Sequence, residues 1–156
     1  MRTLADFELA RRNLSAMVRR QARLAAGYVQ WTATADAPTN FKALCRMWRE
    51  CETDGRPFKV SSLNCENTIY MHAEDNWHFR LWHDILHVTM QQDFSYLGEL
   101  AVATVHLKAA ANWFGSESPE FALMRIETVD QLNYFHNTGN FVPNQLEFAK
   151  AIFLHN

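Results

Sequence analysis

The stretch "FRLWHDILHVTM", residues 79–90, decides how this chain is read. Leu81, Trp82, Ile85, Leu86 and Val88 would wrap most of a helix in apolar surface, which predicts burial inside a helical assembly. Arg80, His83, Asp84 and His87 nevertheless recur at i, i+3, i+4 and i+7, so they share one face. Such a stripe must find partners inside, because each unsatisfied buried polar group costs on the order of 1–3 kcal/mol.

The partners are sought in the helices that follow. "GELAVATVHLKAA", residues 98–110, is rich in small apolar residues except for Glu99 and His106, two turns apart on one face. The short connection Gln92–Tyr96 predicts an antiparallel hairpin in which residue numbers summing to about 186 lie opposite one another. That register sets Glu99 across from His87, His106 near Arg80 and the small Ala103 facing His83. A third segment, "MRIETVDQLNYF", residues 124–135, gathers Glu127, Asp130, Gln131 and Tyr134 on one side.

The rest of the chain reads as further helices. Residues 3–33 carry a helical period, with Phe7, Ala10, Leu14, Met17, Val18, Leu24, Ala25 and Tyr28 toward a core and Arg12, Arg19, Arg20 and Arg23 opposite. Asp36-Ala37-Pro38-Thr39 ends that pattern, and a helix over 40–52 follows, stopped by Thr53-Asp54-Gly55-Arg56-Pro57. Residues 56–75 are irregular or extended, "FKVSSL" being a candidate short strand. Asp75 or Asn76 is placed to cap a helix over 77–91, and Ser118-Pro119 to open one reaching His136. A terminal helix spans 143–154. The expectation is an all-α, single-domain bundle of about six helices over residues 1–156: a basic helical hairpin (1–55), a three-helix polar-core region (76–136) and the terminal helix.

Composition narrows the function classes. No run approaches a membrane span, no signal peptide is visible, and Cys45, Cys51 and Cys65 lack CxxC spacing, so a cytoplasmic protein with reduced thiols is expected. Residues 1–60 hold eleven of the fifteen Lys and Arg and six acids, whereas residues 61–156 hold eleven acids and all seven histidines. Acids and histidines together suit a divalent metal, and arginines suit phosphates.

His83 and His87, one turn apart, can point ring nitrogens at one metal, with Glu99 as a carboxylate ligand and His106 as a further ligand or support. Zinc, iron or manganese fits such a donor set. Zinc would favour hydrolysis of a small-molecule or phosphorylated substrate, with Asp84 or Glu127 as general base and Arg80 as an anion contact; iron would favour oxidation. A carboxylate-bridged dimetal centre could instead use Asp84-x-x-His87 with Glu99, His106 and Glu127. "HDILH" also matches the spacing of HExxH proteases, with Asp84 for the glutamate and Asp93 at a third-ligand position. His83-Asp84 could equally be the doublet of an HD-type phosphohydrolase, with His72 or His78 upstream and Asp130 downstream. Against all of these stands a structural network in which Arg80 pairs with Glu99 and Asp84 with a histidine. In that case the protein is a non-catalytic binding module acting on a host protein or on nucleic acid, which Arg12, Arg19, Arg20 and Arg23 could contact, extended by Arg46, Arg49 and Arg56.

Arg80-x-x-His83-Asp84-x-x-His87, followed by Phe94, Gly98-Glu99, Ala101 and His106, resembles a block in uncharacterised phage and bacterial proteins. Ser118-Pro119 and Glu127-Thr128-x-x-Gln131-x-Asn133 extend the resemblance, which covers residues 79–134. The spacing His83-Asp84-Ile85-Leu86-His87 is one residue shorter than in that family. The resemblance implies a shared polar core grouping His83, Asp84, His87, Glu99, His106 and Glu127, and implies no reaction.

Overall fold

The computed structural model describes all residues, Met1–Asn156. Seven α-helices and two short strands follow in the order α1 (Leu4–Ala26), β1 (Trp31–Thr34), α2 (Phe41–Asp54), β2 (Phe58–Ser61), α3 (Ala73–Met90), α4 (Tyr96–Phe114), α5 (Pro119–Arg125), α6 (Gln131–Thr138) and α7 (Gln145–His155). A π-helical turn, Ile126–Asp130, joins α5 to α6 end to end, so the chain forms six helical rods. The all-α reading holds, with the strands as a small parallel insertion.

Helix α1 is the central rod. Its buried Phe7, Ala10, Leu14, Met17, Val18 and Ala22 pack against α3, α5 and α7, Phe7 meeting the edge of Phe153 at 5.2 Å between ring centres. Each fully buried side chain of this size contributes about 1.5–3 kcal/mol relative to exposure. One apolar cluster runs through α1, α2, β2, α3, α4, α5 and α7. Polar ties pin the same rods: Arg19 pairs with the buried Asp75 at the start of α3, and Asn13 donates to the buried Glu120 of α5 at 2.6 Å.

Helix α1 is shorter than the predicted 3–33. It stops at Gly27, whose φ of +55° takes the left-handed region and whose N–H donates to the Arg23 carbonyl. The chain then extends into β1. Leu24 and Tyr28, expected in the core, are 67% and 102% exposed: Leu24 sits on the solvent side of the last helical turn, and Tyr28 lies beyond the real helix end. The predicted hairpin of residues 1–55 is replaced by a β1–α2–β2 unit, in which α2 is the crossover that parallel strands require and packs on α3 and β2.

Helix α3 starts four residues earlier than expected. His72 is its N-cap, and Asp75 is not a cap but the third helical residue, its carboxylate accepting from the His72 N–H at 3.1 Å. A capping box without serine or threonine at the cap gives no sequence signal. Helix α7 starts at Gln145 with Asn144 as cap, two residues after the expected Pro143.

Candidate metal centre

The predicted hairpin of α3 and α4 forms, and its polar stripes meet. At the C-terminal end of α3 the chain turns through Gln91, in the left-handed conformation, and the Gln92 N–H donates to the His87 carbonyl at 3.0 Å. This turn swings the Gln92 carbonyl back onto the imidazole of His87, at 2.7 Å from Nδ1. A carbonyl only accepts, so His87 carries its proton at Nδ1, and neutral His87 presents a bare lone pair at Nε2.

That lone pair faces two other donor atoms. His87 Nε2 lies 3.0 Å from His83 Nε2 and 3.3 Å from Glu99 Oε2, and His83 Nε2 lies 3.2 Å from the same carboxylate oxygen. Ligands about 2.1 Å from a common ion, at tetrahedral or octahedral angles, sit about 3.0–3.4 Å apart. The three separations therefore have the size of one face of a coordination polyhedron. His83, His87 and Glu99 form the metal-capable group of the structure.

Glu99 comes from the first turn of α4, which Ser95 caps by accepting from the Gly98 N–H at 3.2 Å. Gly98 is required there: a Cβ would lie 2.0 Å from the Asp93 carbonyl oxygen. Burial alone would raise the Glu99 carboxyl, but His83 and His87, when their Nε2 atoms carry protons, hydrogen-bond to it and hold it well below the ordinary carboxylate range. Burial likewise disfavours charge on His87, yet the Glu99 and Gln92 contacts outweigh it and raise its basicity. His87 is fully buried, while His83 and Glu99 are 24% and 26% exposed, so the cluster opens to solvent on one side. Phe94, at the rim, sets its ring edge-on to His87 at 4.9 Å.

His106 stands behind this group. Its Nε2 is 3.1 Å from His83 Nδ1, and its ring lies between Phe79 at 5.0 Å and Trp82 at 4.2 Å. Burial, then the positive charge on His83 and His87, keeps His106 neutral by pushing its basicity well down. When neutral His83 carries its proton at Nδ1 and donates that N–H to His106 Nε2, His83 Nε2 is a bare lone pair pointing at Glu99 and His87. His106 Nδ1 is buried without a partner. The register thus follows the expected one at His87 and Glu99 and slips by about a turn at His106, which meets His83 rather than Arg80.

The remaining predicted residues make contacts of their own. Asp84 is half-buried beside it, and burial raises its carboxyl to about 6 against the pull of His83 and His87. Arg80 does not pair with Glu99; its guanidinium donates to the carbonyls of Ser61, Leu63 and Asn64 and straps down the segment after β2. Glu127 lies on the π-turn, buried, accepting from Gln131 at 2.6 Å; burial raises it to about 8, against Arg80 and Gln131, so it is protonated at neutral pH. Such π-turns often mark functional positions.

The alternative ligand sets do not assemble. Asp93 accepts from the N–H and hydroxyl of Ser95, His72 caps α3, His78 binds the Glu74 carbonyl and Asp130 pairs with Arg125 at 3.1 Å. Of the helix-α1 arginines, Arg19 is taken by Asp75 and Arg20 stacks on Trp113, while Arg12 and Arg23 are exposed. A groove of about 370 Å³ between the segment 36–38, α2 and β2 is lined by charges that already pair, Lys59 with Asp36 at 3.1 Å and Arg56 with Glu50 at 3.5 Å. Two contributors escaped the sequence reading: the Gln92 carbonyl, a backbone group invisible to residue type, and Tyr70, whose buried hydroxyl has no partner and whose ring stacks on Phe79 at 5.3 Å.

Comparisons with protein families, with curated proteins and with solved structures return no match. No helix is long and apolar enough to cross a membrane.

Proposed function

We propose that this protein is a metal-dependent enzyme in which His83, His87 and Glu99 hold one divalent cation. The observation that carries the reading is the set of separations, 3.0, 3.2 and 3.3 Å, among three donor atoms, two of them on the part-exposed side chains His83 and Glu99. Two histidines and one carboxylate leave positions for water and substrate, the arrangement of catalytic rather than structural sites. Zinc would activate a water for attack, manganese would serve similarly, and iron would turn the site to oxidation. Hydrolysis of a small or phosphorylated substrate is favoured, since Asp84, raised to about 6, is suited to take a proton near neutral pH. Glu127, kept protonated by burial, is unsuited to the general-base role expected of it. Arg80, committed to backbone carbonyls, holds the 61–64 segment against α3.

The second reading, a non-catalytic binding protein, draws support from the same contacts. A doubly protonated His83 can satisfy both Glu99 and His106 without any cation, and Arg12 and Arg23 are free for nucleic-acid phosphates. Salt-sensitive retention on DNA or RNA is its signature.

The deciding experiment is metal analysis by mass spectrometry of untagged protein purified without chelator, beside a His83→Ala/His87→Ala variant. Near-stoichiometric metal lost in the variant is expected. Native protein without metal, and without a thermal shift on adding zinc, iron or manganese, refutes the enzyme reading.

A further inference from the structure

Helix α2 carries its charges against its own dipole. Its first turn holds Lys42 and no acid, while Glu50, Glu52 and Asp54 crowd its C-terminal end, where no base lies. The helix dipole favours the reverse, and α1, α3, α5 and α7 follow it with acids first and bases last. Lys42, Arg46 and Arg49 recur at i, i+4 and i+7, so they share one face, and all three are exposed. No ion pair occupies their cationic heads. Glu50, one turn on from Arg46, is taken by Arg56. A free cationic stripe placed this way adds nothing to the fold and is stabilised only by an anion from outside.

The stripe begins beside the metal-capable group. Phe41, the first residue of α2, sets its ring 6.1 Å from that of Phe94, which in turn lies edge-on to His87 at 4.9 Å. Phe94 is 38% exposed, so an aromatic surface stands between the cations and the ligand set. From Phe41 to Arg49 the helix rises roughly 12 Å, the reach of a short run of phosphates. Asp93, the residue before Phe94, turns its carboxylate to the N–H and hydroxyl of Ser95. Cations in a row with an exposed ring at one end are what proteins use to hold single strands, the charges on phosphates and the ring on a base. A duplex keeps its bases stacked and gives Phe94 nothing to hold. A membrane surface needs an exposed apolar face, and the apolar face of α2, with Leu44, Trp48 and Cys51, is packed into the core.

We infer that single-stranded nucleic acid is the phosphorylated partner of this chain, its phosphates held along α2 by Lys42, Arg46 and Arg49 and a base stacked on Phe94 at the rim of the His83–His87–Glu99 group. That the phosphate reaching the rim is the one acted on rests on the metal reading; the binding does not.

The test is fluorescence anisotropy of a fluorescein-labelled oligothymidylate of about 16 nucleotides, with the full chain kept in chelator. Binding that weakens with salt is expected. Lys42→Ala/Arg46→Ala/Arg49→Ala weakens it at least tenfold and flattens the slope of log affinity against log salt by about 2, since each lost phosphate contact removes about 0.7. Phe94→Ala weakens binding about fivefold or more and leaves the slope unchanged. Arg12→Ala/Arg23→Ala binds as the native chain does, which separates this surface from the α1 contacts of the non-catalytic reading. Far-UV circular dichroism and thermal melts confirm that each variant folds. No affinity at about 50 mM salt, native affinity in the α2 or the Phe94 variant, or an equal loss in the α1 variant overturns the inference. Tighter binding of a duplex or of anionic lipid vesicles overturns it equally. Metal content is read apart from this: a chain that binds the strand through α2 and Phe94 but holds no metal refutes the metal reading and upholds this one.

Discussion

His106→Phe separates the two readings of the polar core. The ring is fully buried between Phe79 and Trp82, so a phenyl of similar volume fits the same slot. The substitution removes one hydrogen bond, to His83, worth about 0.5–1.5 kcal/mol, and also the unpartnered Nδ1, whose burial costs about 1–3 kcal/mol. Metal-free stability is therefore expected to stay level or rise by about 1 kcal/mol. Metal binding moves the other way. Without an acceptor at its Nδ1–H, His83 is no longer held in the tautomer that bares Nε2, and loss of such a support weakens metal affinity roughly 10–100-fold, about 1.4–2.7 kcal/mol. Urea unfolding of the metal-free proteins gives the first quantity, and zinc titration against a chelating dye gives the second. Unchanged zinc affinity together with a metal-free protein weakened by about 3 kcal/mol or more would refute the reasoning, because His106 would then serve the fold alone.

Two further substitutions probe the support of the site. Gly98→Ala places a methyl 2.0 Å from the Asp93 carbonyl oxygen, so the turn carrying Gln92 and Glu99 must open. Strain of about 1–3 kcal/mol, less about 1 kcal/mol of improved helix preference, is expected in urea unfolding, with weaker zinc binding alongside; an unchanged midpoint counts against so close an approach of the two backbones. Glu127→Gln tests the buried acid. With the folded carboxyl raised to about 8, the unfolded chain loses its proton first, so native stability falls as pH rises from about 5 to 8. The variant lacks that loss, and its stability relative to the native chain grows by up to roughly 1.4 kcal/mol per pH unit in that window. Parallel pH profiles for the two proteins would show that Glu127 ionises normally.

Local pattern carried a large share of this architecture. The stop at Gly55 and the Ser118 cap are short-range features, and the helix boundaries they set lie at their predicted places. The i, i+4 spacing of His83 and His87, with Glu99 opposite His87, was likewise legible, since one helix and one tight turn define it. Where the reading failed, the cause was distant. The predicted helix ran on past Ala26 to residue 33, and only the pairing of Trp31 with Phe58, across the whole of α2, shows that the chain from Trp31 is strand.

The sequence by itself determined that this is a helical protein with a polar stripe on a buried helix, because helix geometry converts spacing directly into shared faces. Tertiary structure alone decided what each group of that stripe touches. It turned Arg80 to backbone carbonyls, set His106 behind His83 and brought the Gln92 carbonyl to His87, because these contacts depend on where a turn or a crossing segment places backbone atoms. Residue type and spacing carry no record of that placement.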